Sequence, residues 1–286
     1  MKVIDSITQL KKTIREEKKS NHSIAFVPTM GYLHDGHLSL VKEAREAGDT
    51  VVMSIFVNPL QFGPGEDFET YPRDHERDIA LANENGVDIL FIPDQQELYP
   101  RKMSATIKVH EGTDVLCGRS RPGHFDGVAT VVMKLFQLVE PDTACFGLKD
   151  AQQVAVIERL VNDFHLSVDI IRGKIVRESD GLAMSSRNVR LTDAERIEAP
   201  LIRTILKETA DCICNGSYSS ATEAADDAYQ RLSENLTAEV EYVELLTFPD
   251  LSEPDVSSAQ EMLLATAVKY SEVRLIDNQL IKKESK

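Results

Sequence analysis

Two histidines, His34 and His37, lie where a predicted strand is followed by a predicted helix. The apolar run Ile24–Val27 predicts the strand, and the pattern of Leu38–Arg45 predicts the helix. Free N–H groups at a helix N-terminus favour phosphate, and imidazoles at this place can donate hydrogen bonds to a phosphoryl group as charge develops on it. The alternative is that both histidines are surface residues near a helix start, so the segment does not decide the function alone.

A second polar cluster, Ser185-Ser186-Arg187, lies far along the chain and could also bind phosphate. The two hydroxyls can donate hydrogen bonds, and the guanidinium supplies charge in a planar, bidentate form. The same composition is common in ordinary loops. The cluster therefore gains weight only in combination with the histidine segment.

Apolar strand-like runs alternate with helical patterns through roughly the first 175 residues, and this alternation predicts a parallel sheet covered on both faces. Ligands bind such sheets beyond the carboxyl ends of the strands. Three loops are predicted at those ends, namely Thr29–His37, Asn58–Gly65 and Gly147–Asp150. The predicted strands are Ile24–Val27, Val51–Val57, Val87–Ile92, Ala144–Phe146 and Val168–Ile171, and the longer predicted helices are Val128–Val139 and Ala151–Phe164.

The composition changes after about Arg177, which predicts a second, smaller α+β domain. Residues 1–176 are expected to form a Rossmann-like α/β domain and residues 177–286 the C-terminal domain, a lid. The C-terminal predictions are helices over Ala194–Cys214 and Ala221–Leu232, strands over Val240–Phe248 and Met262–Val268, and a frayed tail over 282–286.

The formal charge of −15 over 286 residues argues against a nucleic-acid-binding protein, which needs a surplus of Lys and Arg on one face. A few local cations can still bind a small anion. The N-terminus lacks the apolar core of a signal peptide, and no apolar run reaches the ~18 residues of a membrane span. We therefore expect a cytoplasmic protein without membrane contact and with free thiols.

Taken together, several ordered motifs resemble the pantothenate synthetase family over nearly the whole chain. The matching segments are Val27–His37, Ser54–Gln61, Tyr71–Arg73, Arg121–Val128, Cys145–Gln153, Gly181–Asn188 and Arg274–Asn278. This family belongs to the H-x-G-H nucleotidyltransferases built like class I aminoacyl-tRNA synthetases. The resemblance implies an AMP-forming pantoate–β-alanine ligase of pantothenate biosynthesis, which makes a pantoyl adenylate from ATP and releases pyrophosphate. It also implies a homodimer.

The resemblance further implies site residues. His37 takes the role of donor to the phosphates, a group whose loss costs roughly 3–4 kcal/mol in a transition state. The implied catalytic residues are His34, His37, Lys149 and Arg187. The implied ATP-binding residues are Met30, Gly31, Tyr32, Leu33, His34, Asp35, Gly36, His37, Gly147, Leu148, Lys149, Asp150, Val176, Met184, Ser185, Ser186 and Arg187. Gln61 and Gln153 are implied for pantoate, and Gln61 and Asn58 for β-alanine.

ATP chemistry implies Mg²⁺, a hard cation that bridges phosphate oxygens and needs few protein ligands. Asp150 is the nearest candidate carboxylate, but it could equally cap the following helix, so we predict no protein metal ligand. Two positions depart from the family pattern: Leu148 replaces an acidic residue, and Cys117 replaces a glutamate. The segment Arg121–Phe125 could position substrate or fix the entry to the helix beyond it, and we expect the second role.

Two alternatives use the same residues. A nucleotidyltransferase acting on a phosphorylated alcohol would share the fold, but should need further Arg or Lys where Gln61 and Gln153 stand. A regulatory module that only binds ATP would not need the second-substrate loop Asn58–Gln61. A tRNA-handling fragment is disfavoured by the acidic charge.

Overall fold

The computed structural model describes residues 1–283 as two α/β units. Its helices and strands in chain order are β1 (Lys2–Ile4), α1 (Ile7–Lys19), β2 (Ile24–Thr29), α2 (Asp35–Ala47), β3 (Thr50–Ile55), α3 (His75–Glu84), β4 (Ile89–Phe91), α4 (Gln95–Leu98), α5 (Leu116–Ser120), α6 (His124–Val139), β5 (Thr143–Gly147), α7 (Ala151–Asp163), β6 (Asp169–Gly173), α8 (Asp193–Glu198), α9 (Leu201–Cys214), α10 (Ala221–Asn235), β7 (Glu239–Thr247), β8 (Glu261–Lys269) and β9 (Arg274–Lys282).

The two units do not follow a single cut in the chain. The first unit comprises Met1–Val109, Arg121–Leu148 and Val156–Lys174. The second comprises His110–Ser120, Lys149–Ala155 and the residues from Ile175 onward. Two short segments of the first 176 residues are therefore grouped with the second unit.

A six-stranded parallel sheet in the order β1-β4-β3-β2-β5-β6 forms the first unit, as the alternating pattern predicts. Strand β2 pairs with β3 on one side and with β5 on the other, so the chain reverses its direction of winding between β2 and β5. In open parallel sheets this switch point is where ligands bind. The loops that follow β2, β3 and β5 thus leave neighbouring strands at one edge.

The central strands are apolar because helices cover both faces of the sheet. All six residues of β3 are buried, and Phe26 and Val27 in β2 are fully buried. Strand β1 was not predicted. It is only three residues long and two of them are exposed, so it carries no apolar pattern, and pairing with β4 alone makes it a strand.

The second unit packs helices α9 and α10 against the antiparallel sheet β7-β8-β9. The predicted single helix over Ala194–Cys214 is wrong, because Pro200 divides it into α8 and α9. Proline has no N–H and its ring clashes with the preceding turn. The predicted fraying is also wrong at Lys282, which ends β9, while residues 284–286 lie outside the described part of the chain. No helix among residues 1–283 is long and apolar enough to cross a membrane.

Helix α6 approaches the loop after β3 so closely that only glycine fits at Gly127. A Cβ there would lie 2.1 Å from the Leu60 carbonyl oxygen and 2.7 Å from the Gln61 nitrogen. The Gly127 carbonyl also accepts a hydrogen bond of 3.1 Å from Asn58 Nδ2. The backbone of α6 therefore fixes the position of the turn that carries Gln61.

We expect Gly127→Ala to destabilise the protein by about 1–3 kcal/mol, because the added methyl must displace backbone atoms. Urea unfolding measures the change. Gly147→Ala is the matched control, since a Cβ at Gly147 meets nothing within 4 Å. Equal free energies of unfolding of the two variants would show that the turn at Leu60 and Gln61 moves away from the added methyl without loss of stability.

Candidate active site

The turn between β2 and α2 depends on a backbone conformation that favours glycine. Gly31 has φ +83°, and a Cβ there would lie 2.8 Å from Ile55 Cγ2. Tyr32 follows with φ 51°, also in the left-handed region. The Gly31 N–H donates to Thr29 Oγ1 at 3.2 Å, and that hydroxyl donates to the Ser54 carbonyl at 2.8 Å. The turn is thus attached to the neighbouring strand β3.

A buried carboxylate from α3 holds this turn, and it was not predicted from the sequence. Asp78 is fully buried and accepts hydrogen bonds from the N–H groups of Tyr32 at 2.8 Å and Leu33 at 2.7 Å. One side chain therefore accepts hydrogen bonds from two consecutive peptide N–H groups in the turn that follows β2. A signal was available: Asp78 lies four residues before the buried Ala82, on the covered face of α3.

His34 and His37 form a reciprocal cap at the start of α2. His34 Nδ1 accepts from the Gly36 N–H at 3.1 Å, and His37 Nδ1 accepts from the His34 N–H at 3.3 Å. The ring centroids are 4.1 Å apart. Since each Nδ1 accepts a hydrogen bond, a neutral ring carries its proton on Nε2. The spacing of three residues thus orients both imidazoles as Nε2 donors.

Gln61 lies in a short 3₁₀ turn after β3, with its side chain buried. Its Oε1 accepts from Asn58 Nδ2 at 3.1 Å, and its Nε2 lies 3.1 Å from Met30 Sδ. Within residues 1–283 these are the partners of the amide, so one N–H and one lone pair remain for another group. Gln61 and Met30 join the loops after β3 and β2.

Asn58 is buried, and protein atoms use the hydrogen-bonding positions of its side chain. Nδ2 donates to Gln61 Oε1 and to the Gly127 carbonyl, while Oδ1 accepts from Tyr99 OH at 2.9 Å and from the Leu60 N–H at 3.3 Å. The arrangement holds the Gln61 amide in one orientation. The β-alanine contact expected of Asn58 stays a prediction.

In the second unit, the polar cluster after Gly181 follows a short antiparallel hairpin. The Met184 N–H donates to the Val176 carbonyl at 3.0 Å, and Arg177 pairs with Ala183 across the hairpin. The Ser185 hydroxyl then accepts from the Arg187 N–H at 3.2 Å. This turn sets the backbone around Ser186 and Arg187.

Lys149 and Arg187, two of the predicted catalytic cations, interact electrostatically in this unit. Burial lowers the pKa of Lys149, and the positive charge of Arg187 lowers it further. The carboxylates of Asp150 and Asp277 act in the opposite direction without restoring the ordinary value. Two cations near each other with a lowered lysine pKa favour an anionic ligand.

Strand β9 supplies two supporting residues that had no predicted role. Asn278 Nδ2 donates to the Lys149 carbonyl at 3.0 Å. The buried Asp277 forms a bidentate pair with Arg177, with Nη1–Oδ2 at 2.7 Å and Nη2–Oδ1 at 2.9 Å. Adjacent residues of one strand therefore hold both the Lys149 backbone and the hairpin before Ser185.

The predicted site residues are divided between the units. The first unit contains Met30, Gly31, Tyr32, Leu33, His34, Asp35, Gly36, His37, Asn58, Gln61, Gly147 and Leu148. The second contains Lys149, Asp150, Gln153, Val176, Met184, Ser185, Ser186 and Arg187. The joining of the two groups into one site stays a prediction.

Comparison with known proteins covers almost the whole chain. The family model described as Pantoate-beta-alanine ligase matches residues 2–280. This chain belongs to the pantoate-beta-alanine ligase family. It is similar to the pantothenate synthetase of Bacillus pumilus (strain SAFR-032), with 53% identity over 281 residues, 97% of this chain and 96% of the relative. The Bacillus subtilis (strain 168) pantothenate synthetase is also 53% identical, over 98% and 97% of the two chains.

Solved structures of this ligase family have the same fold. Pantothenate synthetase from Thermus thermophilus superposes with a TM-score of 0.90 at 41% identity, over 98% of this chain and 99% of that one. The pantoate-beta-alanine ligase of Francisella tularensis, in complex with beta-gamma ATP and beta-alanine, gives a TM-score of 0.82 at 35% identity, over 98% and 97%. The resemblance and the fold class inferred from the sequence are confirmed.

Cys117, which the resemblance marks as a departure from the expected glutamate, lies beside a compensated cation. Cys117 Sγ lies 3.2 Å from Tyr242 OH and 3.5 Å from Arg274 Nη1. Glu241 already supplies a carboxylate to this guanidinium, with Arg274 Nε 2.9 Å from Oε2. The charge of Arg274 is thus compensated without a glutamate at position 117.

We expect Asp78→Asn to destabilise the protein by about 1–3 kcal/mol, because an amide NH₂ would face a peptide N–H that loses its acceptor. Urea unfolding measures the change. Asp74→Asn is the matched control on the same helix, since Asp74 caps α3 by accepting from the Arg77 N–H and asparagine caps equally well. Equal losses of stability in the two variants would mean that removal of a negative charge from α3, and not loss of the acceptor for the turn, causes the effect.

Proposed function

We propose that this protein condenses pantoate with β-alanine at the expense of ATP, in two steps. A carboxylate oxygen of pantoate attacks the α-phosphorus, the bond to the bridging oxygen breaks, and pyrophosphate leaves from a pantoyl adenylate. The amine of β-alanine then attacks the acyl carbon, loses a proton and expels AMP. Membership of the ligase family supports this reaction.

The choice of pantoate as the substrate that is adenylated rests on the uncharged amide of Gln61. It is buried beside Met30 at the carboxyl edge of the sheet, and it keeps one donor and one acceptor position. Such an amide suits pantoate, whose hydroxyls and carboxylate offer both kinds of partner. A phosphorylated alcohol would call for a cation here. We propose the same substrate for Gln153 and assign β-alanine to Gln61 and Asn58. Because protein atoms take the hydrogen-bonding positions of Asn58, its amide would exchange one of these partners for the substrate.

For ATP, the proposal assigns the triphosphate to the cations and helix N-terminus described above. His34 and His37 donate from Nε2, and Lys149 and Arg187 supply positive charge as pyrophosphate forms. The charge of Arg187 disfavours the charged form of Lys149, so a polyanion between them would remove an unfavourable interaction. The remaining ATP contacts are proposed for Met30, Gly31, Tyr32, Leu33, Asp35, Gly36, Gly147, Leu148, Asp150, Val176, Met184, Ser185 and Ser186.

Mg²⁺ belongs to this proposal as the ion that neutralises phosphate oxygens. No three His, Cys, Asp or Glu side chains within residues 1–283 form a metal-binding group. In this proposal phosphates and water hold the cation, and Asp150, whose charge acts on Lys149, is the carboxylate that would face it. A cytoplasmic homodimer, and the division into a binding domain over 1–176 and a lid over 177–286, are proposed on family grounds.

The reaction is tested by ATP–pyrophosphate exchange with pantoate present and β-alanine absent. We expect pantoate-dependent exchange in the wild type and a loss of about 10²–10³-fold in His37→Ala, because a donor to the developing charge is removed. Exchange that depends on a phosphorylated alcohol instead would contradict the choice of acceptor.

His37→Asn separates this chemical role from the helix cap. Its Oδ1 can replace Nδ1 as acceptor for the His34 N–H, whereas nothing replaces Nε2. We expect wild-type thermal stability together with the same loss of exchange. Retained exchange in His37→Asn would leave His37 with a structural role only.

The lowered pKa of Lys149 predicts the pH dependence of ATP binding. As pH rises through that pKa the ammonium loses its proton, so affinity for a non-hydrolysable ATP analogue should begin to fall below 10.5, the ordinary lysine value. Calorimetric titration from neutral pH to about 9.5 measures this fall. Lys149→Arg, which stays protonated, should bind with a flatter profile. Identical profiles would assign the fall to another group.

A further inference from the structure

The main-chain carbonyl of Gln61 accepts hydrogen bonds from two side chains that the proposed reaction does not use. His124 Nδ1 lies 2.7 Å and Arg121 Nη2 3.1 Å from this oxygen. Both residues come from the Arg-Pro-Gly-His segment at the start of α6, about sixty residues along the chain. A carbonyl held from two directions fixes the peptide plane, and with it the direction in which the Gln61 side chain leaves the backbone.

The hydrogen-bonding pattern defines the state of His124. A carbonyl oxygen can only accept, so Nδ1 carries the proton and donates to Gln61. The Arg121 guanidinium can only donate, and its Nη1 lies 3.2 Å from His124 Nε2, which therefore accepts. A neutral imidazole protonated on Nδ1 satisfies all three groups at once.

Glu66 holds Arg121 in the orientation that this arrangement requires. Arg121 Nε lies 2.8 Å from Glu66 Oε1, and Nη2 donates to Oε2. The side chains are 18% and 25% exposed, so solvent weakens the pair only partly. Burial would raise the pKa of Glu66, but the hydrogen bonds and charge of Arg121 outweigh burial and lower it, which keeps the carboxylate ionised.

We propose that Arg121 and His124 are positioning residues for pantoate, acting through the Gln61 carbonyl, with Glu66 orienting Arg121. Both ends of Gln61 are then fixed: α6 holds its backbone, and Asn58 and Met30 hold its amide. This inference rests on the proposed function. Small displacements of a substrate-binding group reduce the rate strongly. Because the carbonyl that Arg121 and His124 hold belongs to the proposed pantoate-binding residue, the effect should fall on pantoate.

The test compares KM values for pantoate and for ATP in the exchange assay. We expect Arg121→Lys and His124→Ala to raise the pantoate KM about tenfold while the ATP KM changes less than about twofold. His124→Asn should restore the pantoate KM, because its amide can donate from the position of Nδ1. A purely structural role would raise both KM values or change neither.

Arg45→Lys is the matched control. Arg45 likewise spans a carboxylate, Asp88, and two carbonyls, those of Asp49 and Gly86, and these bonds lie apart from Gln61. It should leave both KM values unchanged, and thermal unfolding checks that each variant is folded. Should His124→Ala unfold, Arg121→Lys, which keeps the charge opposite Glu66, gives the same contrast.

The outcomes separate the two hypotheses. A wild-type protein without pantoate-dependent exchange overturns the proposed function. Exchange in the wild type with an unchanged pantoate KM in Arg121→Lys and His124→Ala overturns this inference alone, as does a pantoate KM that His124→Asn fails to restore.

Discussion

The carboxylate of Asp78 is the contact on which the first unit's polar residues depend. Two consecutive residues after β2, Gly31 and Tyr32, take positive φ, and the two N–H groups of Tyr32 and Leu33 would otherwise be buried without acceptors. With those groups satisfied, the chain reaches His34 in the extended conformation that an N-cap needs. The Asp78 carboxylate, together with the Thr29 hydroxyl, thus fixes the turn that leads to the two imidazoles.

In both units, side chains from distant segments of the chain donate hydrogen bonds to the main-chain carbonyls of polar residues in the candidate site. In the first unit, Arg121 and His124 bind the carbonyl of Gln61; in the second, Asn278 binds that of Lys149. Because these hydrogen bonds hold the backbone of Gln61 and of Lys149, they leave the two side chains available for another partner. This arrangement gives sequence segments without apparent chemistry, such as Arg274–Asn278, a role in positioning the proposed phosphate-binding segments.

Local patterns along the sequence predicted the sheet and the candidate residues, but contacts between residues far apart in the chain were not predicted. The alternation of apolar strands and helices indicated the parallel sheet, and H-x-G-H together with Ser-Ser-Arg indicated the candidate residues. The sequence places Asp78 on the covered face of α3, but no local pattern indicates its partners 45 and 46 positions earlier, or the pairing of Asp277 with Arg177 one hundred positions away. Strand β1 was missed for the same reason, because only its pairing with β4 defines it.

The net charge of −15 is compatible with an anionic substrate, because affinity depends on groups in contact with the substrate and much less on charges elsewhere on the surface. Salt screens exposed charges over about 8–10 Å, so the acidic surface opposes the approach of ATP only weakly. Affinity is set by groups in contact, where the low dielectric strengthens each interaction. The half-buried Lys149, whose pKa is lowered by burial and by the charge of Arg187, is proposed to be of this kind. Nucleic acid differs from such a small anion, because its many phosphates would need a basic surface rather than a few local cations.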